Sequence, residues 1–124
     1  MLDAKEYLEQ ARFLDMRINA KLAQLDSLHQ LMLKLGGSDR AEAKISILQE
    51  KINRDIDSLV NLKDEITRRI GQLSKPEYQT VLELRYLCFW SWEKIAVNMH
   101  YHQLYIYELH RAALKEFSEV LQRP

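Results

Sequence analysis

The chain has little with which to turn: 3 glycines and 2 prolines in 124 residues. That scarcity excludes a fold built from β-hairpins, whose tight turns need residues that tolerate unusual backbone angles. A single cysteine, Cys88, excludes an intrachain disulfide and fits a reducing compartment. Net charge is also missing. The 18 basic and 18 acidic side chains give a formal charge of +0, whereas proteins that hold DNA by its phosphates usually carry a basic excess. No apolar run is long enough to span a bilayer, and Met1-Leu2-Asp3-Ala4-Lys5 lacks a signal-peptide core, so the expected place is the cytoplasm and no membrane partner is expected. There is no glycine-rich phosphate loop, and Ser, Cys and His are not arranged as nucleophile and base, so neither an enzyme nor a cofactor is expected. His100, His102 and His110 lack the spacing of a paired helical site, and no further ligand completes four, so no metal is expected.

What is present, 47% hydrophobic and 29% charged residues, points to long helices and an all-α fold. Asp3 with Glu6 forms a capping-box start. Tyr7, Ala11, Leu14, Ile18, Leu25, Leu28, Met32 and Leu35 then follow a near-heptad stripe, in which Lys21 holds the one position that is not apolar. Gly36-Gly37 stops the helix. Ser38 caps a second, with Asp39 and Glu42 in its first turn and Ile45, Leu48, Ile52, Ile56, Leu59, Leu62, Ile66, Ile70 and Leu73 along its apolar face. So short a turn makes the pair antiparallel, a long coiled-coil-like hairpin. Two lone helices cannot bury all of this Leu and Ile. The expectation is a homodimer through Leu14, Ile18, Leu25, Leu28, Ile52, Leu59 and Ile66; the alternative is a monomer whose C-terminal helices fold back onto one end of the hairpin. Arg68-Arg69 reads as a solvated basic pair rather than a phosphate clamp.

Ser74-Lys75-Pro76-Glu77 divides residues 1–73, the hairpin, from residues 74–124, a three-helix unit. Ser74 is expected to cap its first helix, Tyr78 to Cys88, with Val81, Leu82 and Leu84 inward. Ser91 caps the next, Trp92 to Met99, and the last runs from about His102 to Leu121 with Ile106, Leu109, Ala113, Leu114 and Phe117 inward. Cys88, between Leu87 and Phe89, reads as a buried inert thiol.

The two final helices have the spacing of a helix-turn-helix. Its core is Trp92, Ile95, Ala96, Met99, Ile106 and Leu109. Ala96 is small enough for the helices to cross closely. With that core buried, the groove-facing residues are His102, Gln103, Leu104, Tyr107, Glu108 and Arg111: Gln103 suits an adenine edge, Leu104 a thymine methyl, Glu108 a cytosine amino group, and Arg111 is the one full positive charge. Trp90 and Trp92 read as bundle packing rather than as a stacking platform, because no basic groove accompanies them.

Several of these segments resemble a known group: Glu77-Tyr78, Leu82-Glu83-Leu84-Arg85-Tyr86, Ser91-Trp92-Glu93-Lys94-Ile95-Ala96, and Tyr107 with Leu109-His110 and Ala113-Leu114. They resemble the C-terminal module of ArpU-like phage and prophage transcriptional regulators, which is similar to region 4 of bacterial sigma factors. Asp3-Ala4-Lys5-Glu6-Tyr7-Leu8 and Asp55-Ile56-Asp57-Ser58-Leu59 resemble the helical leader of that group. The resemblance implies a phage protein that binds double-stranded promoter DNA in the bacterial host cell, beside host RNA polymerase, and switches on late genes. The chain departs from the pattern at His100, where glycine is usual and positive φ is required, and at His102, where the family places a serine cap.

A second function class stands beside the first. From Lys75 onward there are six basic residues (Lys75, Arg85, Lys94, Arg111, Lys115, Arg123) and six acidic ones (Glu77, Glu83, Glu93, Glu108, Glu116, Glu119), a poor balance for phosphate contact. Tyr101, Tyr105 and Tyr107 form an aromatic cluster of the kind enriched at protein interfaces. On that basis the module would bind a host protein, RNA polymerase or a nuclease in the manner of an anti-CRISPR inhibitor, without binding DNA.

Overall fold

A computed structural model describes Leu2–Arg123. Five α-helices are present among the described residues: α1 (Ala4–Leu35), α2 (Asp39–Ile70), α3 (Pro76–Leu82), α4 (Trp92–Met99) and α5 (Gln103–Gln122). α3 runs straight into one turn of π-helix, Glu83–Leu87. No strand is found among these residues, and no described helix is long and apolar enough to cross a membrane.

α1 begins with the reciprocal capping box: the Glu6 amide donates to Asp3 Oδ1 at 2.8 Å and the Asp3 amide to Glu6 Oε1 at 3.3 Å. It ends where Gly36 takes φ 82°, the left-handed geometry that closes a helix. Ser38 then caps α2 by accepting from the Ala41 amide at 3.1 Å. The two helices form an antiparallel hairpin, rising numbers on α1 meeting falling numbers on α2: Tyr7 donates to Glu65, and Lys21 pairs with Asp55.

The chain forms two compact units. One is Phe13–Asn61, the turn and adjoining arms of the hairpin. Ile18, Ile45, Leu48 and Ile52 are buried there, with Leu14, Leu25, Leu28, Met32 and Leu59 half-buried. Lys21, the interruption in the α1 stripe, meets its counterpart in Asp55, which Arg17 also reaches at 3.3 Å. Asp55 takes an inward place on α2 and Ile56, expected on the apolar face, is 40% exposed. The Lys21 hydrogen bond and ion pairing hold the Asp55 carboxyl below its ordinary range. Leu35, the last stripe residue, is 81% exposed.

The other unit joins the described residues up to Arg12 with those from Leu62 onward. The compact division therefore falls inside the hairpin rather than at Ser74, and the physical reason is one shared core. Leu8 and Ala11 from α1, Ile66 and Ile70 from α2, Val81 and Leu82 from α3, Ile95 from α4, and Ile106, Ala113 and Phe117 from α5 are all fully buried. The Tyr7 and Phe117 rings lie 6.0 Å apart. This is the fold-back arrangement that the sequence left open.

Three local expectations are corrected. Ser74 is not the cap of α3: Lys75 occupies that position without a side-chain bond, and Ser74 donates instead to Glu116 on α5, from its amide at 2.8 Å and its hydroxyl at 3.0 Å. Cys88 is exposed, not buried, because the π-turn widens the backbone and Phe89 reverses it at φ 61°. Leu84 and Leu114 are half-buried rather than core.

A candidate nucleic-acid interface

The turn between α4 and α5 is built by local hydrogen bonds. Ser91 caps α4 by accepting from the Lys94 amide at 3.2 Å. At the far end His100 takes φ 60°, ψ 39°. The Tyr101 amide reaches back to Ala96 O at 3.0 Å and the His100 amide to Val97 O at 3.3 Å. This paired closure satisfies the last carbonyls of a helix and requires a left-handed residue. Histidine therefore adopts the backbone expected of the missing glycine, at a steric cost. His102 stands at the cap position of α5, its Nδ1 accepting from the Leu104 amide at 3.3 Å, so the ring does the work of the usual serine oxygen.

Beneath the turn, Ile95, Ala96, Ile106 and Leu109 are buried, and Trp92 and Met99 half-buried. Above it, His102, Leu104, Glu108 and Arg111 are exposed, with Leu104 at 66%. Gln103 and Tyr107 are half-buried and bonded to each other, amide to hydroxyl, at 2.7 Å. Tyr107 packs edge-on against Trp92 at 5.5 Å. Of the six residues expected to face a groove, Leu104, Glu108 and Arg111 thus form an exposed row at i, i+4 and i+7, His102 is exposed at the cap before it, and Gln103 and Tyr107 are tied to the module itself. Tyr101 and Tyr105 join the exposed side, their rings 4.6 Å apart.

Of the residues expected to dimerise, Ile18, Ile52 and Ile66 are buried within the chain and Leu14, Leu25, Leu28 and Leu59 are half-buried. The apolar side chains left outward in the same hairpin unit are others, among them Phe13, Met16, Leu31 and Ile47, each more than half exposed. Metal-binding side chains do not gather in threes among the described residues.

Sequence reasoning missed the polar support behind the row. Tyr86 Oη and His110 Nε2 lie 2.6 Å apart, and the imidazole also stands edge-on to Trp92 at 4.6 Å. Burial, helped by the positive charges of Arg85, Lys5 and Arg111, lowers His110 to about 4. Burial, helped by Glu9, pushes the Tyr86 phenol up. Both groups are neutral at pH 7, and one proton sits between them. Arg85 lies over the Trp92 ring at 4.3 Å and donates to Trp90 O at 2.9 Å. The one available clue was their spacing: Tyr86 and Arg85 at the end of one helical pattern, His110 on the inward shoulder of another.

The strained turn and the neutral imidazole can each be tested. His100→Gly relieves the left-handed strain and should raise unfolding free energy by about 1 kcal/mol in urea melts, leaving the helical signal unchanged; a loss of stability would show that the imidazole has a compensating role. Because the folded His110 pKa lies below the ordinary 6.5, the unfolded chain takes up the proton first. The contribution of neutral His110 is complete above about pH 6.5 and is lost as the pH falls toward 4, by about 1–2 kcal/mol after allowance for partial exposure. Thermal melts across that window should show a smaller drop for His110→Gln than for the unaltered chain; equal drops would contradict the buried neutral imidazole.

No curated protein and no solved structure matches the chain. One family's sequence profile covers residues 27–118, a span reaching from the last third of α1 to the fifth turn of α5 and including the whole helix-turn-helix. The chain belongs to that family, described as "Protein of unknown function (DUF1492)".

Proposed function

We propose that the chain is a phage-encoded, DNA-binding transcriptional regulator of the ArpU-like kind, and that α5 is its recognition helix. The observation that carries the reading is the closure at His100. A left-handed residue with paired return bonds to Ala96 and Val97 is the turn geometry a helix-turn-helix needs, kept here without the glycine that makes it easy. A turn held at a steric cost makes sense when it positions something, and directly after it come the exposed cap His102 and the exposed row Leu104, Glu108 and Arg111. Leu104 offers an apolar contact to a thymine methyl, Arg111 a phosphate or guanine contact, and Glu108 an acceptor for a cytosine amino group. Homodimerisation belongs to the same proposal: a near-neutral module gains DNA affinity from a second copy, and the outward Phe13, Met16, Leu31 and Ile47 give that copy an apolar surface.

One observation favours the second reading, a host protein as partner. Glu77, Tyr78, Tyr105 and Glu108 line a hollow of about 160 Å³ beside the recognition helix together with Lys75, whose ammonium lies 5.4 Å from the Tyr78 ring centroid, and Glu77 holds the Tyr101 phenol above its ordinary range. Two carboxylates against one ammonium leave the hollow net acidic, which suits a cationic side chain better than a phosphate.

Selection of the full-length chain against a pool of random duplexes of about 30 base pairs separates the two, that length admitting two half-sites one helical turn apart. The expected result is an enriched two-half-site motif. Arg111→Ala should weaken binding about tenfold and lower the salt slope by about one, and Leu104→Ala should relax preference at one base pair. No enrichment, and no retardation of duplex at low salt, would overturn the DNA reading and leave the protein-partner reading standing.

A further inference from the structure

Arg68 and Arg69 close α2, and the fold adds a third guanidinium to them. Arg123, just beyond α5, lines one hollow of about 260 Å³ with Arg68, Arg69, Gln72 and Val120. All five belong to the same compact unit, and no carboxylate is among them. Arg68 and Arg123 are exposed and have no ion-pair partner among the described residues. Glu65 reaches Arg69 Nε at 3.4 Å, but the approach is misaligned for a hydrogen bond, and that buried N–H has no acceptor. Glu65 also receives the Tyr7 hydroxyl and offsets one of the three guanidinium charges, so two remain around the hollow. The negative end of the α2 dipole offsets only about half a charge. Three guanidiniums around one hollow repel each other unless an anion joins them.

We propose that this hollow seats a phosphate dianion, as inorganic phosphate or as a phosphate monoester. Charge selects the dianion: a backbone phosphodiester carries one negative charge and needs one guanidinium, whereas three planar forks match a doubly charged group with several acceptor oxygens. The hollow exceeds a bare phosphate and leaves room for the organic part of an ester. It lies at the C-terminal end of α5, roughly 30 Å along the helix from His102 at ~1.5 Å rise per residue, so it does not rest on the DNA reading.

Isothermal titration of the full chain tests it, at ionic strength matched with chloride. The titrants are inorganic phosphate, a nucleoside 5′-monophosphate and dimethyl phosphate. The expected result is saturable one-site binding of phosphate at about pH 7.5 that weakens several-fold at about pH 5.5, as the second phosphate proton, pKa near 6, is regained. Arg68→Gln and Arg123→Gln, both at exposed positions, should each weaken it about tenfold. Tighter binding of the monophosphate would assign the site to an ester, and equal binding to free phosphate. Absence of saturable binding by either, insensitivity to both substitutions, or equally tight binding of dimethyl phosphate would overturn the proposal. Phosphate binding without duplex selection would leave this seat intact while removing the DNA reading, and the reverse pattern would do the opposite.

Discussion

The burial of Phe117 is the contact on which the C-terminal module depends. α5 presents Ile106, Leu109, Ala113, Phe117 and Val120 inward, a row too long for α3 and α4 to cover. Its first half packs against those two short helices. Its second half meets the Tyr7 ring of α1 at Phe117 and lies beside the end of α2, where Val120 lines a hollow with Arg68, Arg69 and Gln72. Tyr7 serves both sides: its ring meets Phe117, its hydroxyl bonds Glu65, and burial with that carboxylate raises its pKa to about 12. Short helical segments totalling about 50 residues bury too little apolar surface to be secure alone. The helix-turn-helix therefore has a foundation drawn from both ends of the sequence.

That foundation explains how an exposed row can be held still. Leu104, Glu108 and Arg111 project from a helix whose opposite face is fully buried, and the middle of that helix is braced by a neutral polar pair and by a cation lying on an aromatic ring rather than by ion pairs. Tyr86 and His110 are joined by one hydrogen bond, and Arg85 lies on Trp92 with its guanidinium bonded to a backbone carbonyl. A buried charge on His110 would be costly without a partner, and burial keeps it neutral. Rigid presentation is what direct reading of a groove requires, and it serves a protein partner equally well.

Much of this was legible in the residues. Asp3 with Glu6, Ser38 and Ser91 named helix starts because capping is a local event between neighbours. Gly36 marked the hairpin turn, and the demand for positive φ at His100 came from the helix-turn-helix pattern, in which glycine is usual at that place. Lys21 stood out as the wrong residue on an apolar stripe. Its partner did not, because Asp55 looks like any surface carboxylate until α2 is laid beside α1. Ser74 followed by Glu77 read as a cap, but Glu116, distant in sequence, competes for it. Cys88 between two apolar residues read as core, since nothing in a short window announces a π-turn. In each miss the deciding neighbour lay far along the chain or in an unusual backbone turn.

The most direct test compares residues 74–124, made alone, with the full chain by circular dichroism and thermal melting. The expected result is a fragment with little helix and no cooperative transition, because Phe117 and Val120 lose the α1 and α2 residues beside them. A fragment that melts cooperatively with its full helical content would contradict the shared core and restore an independent module.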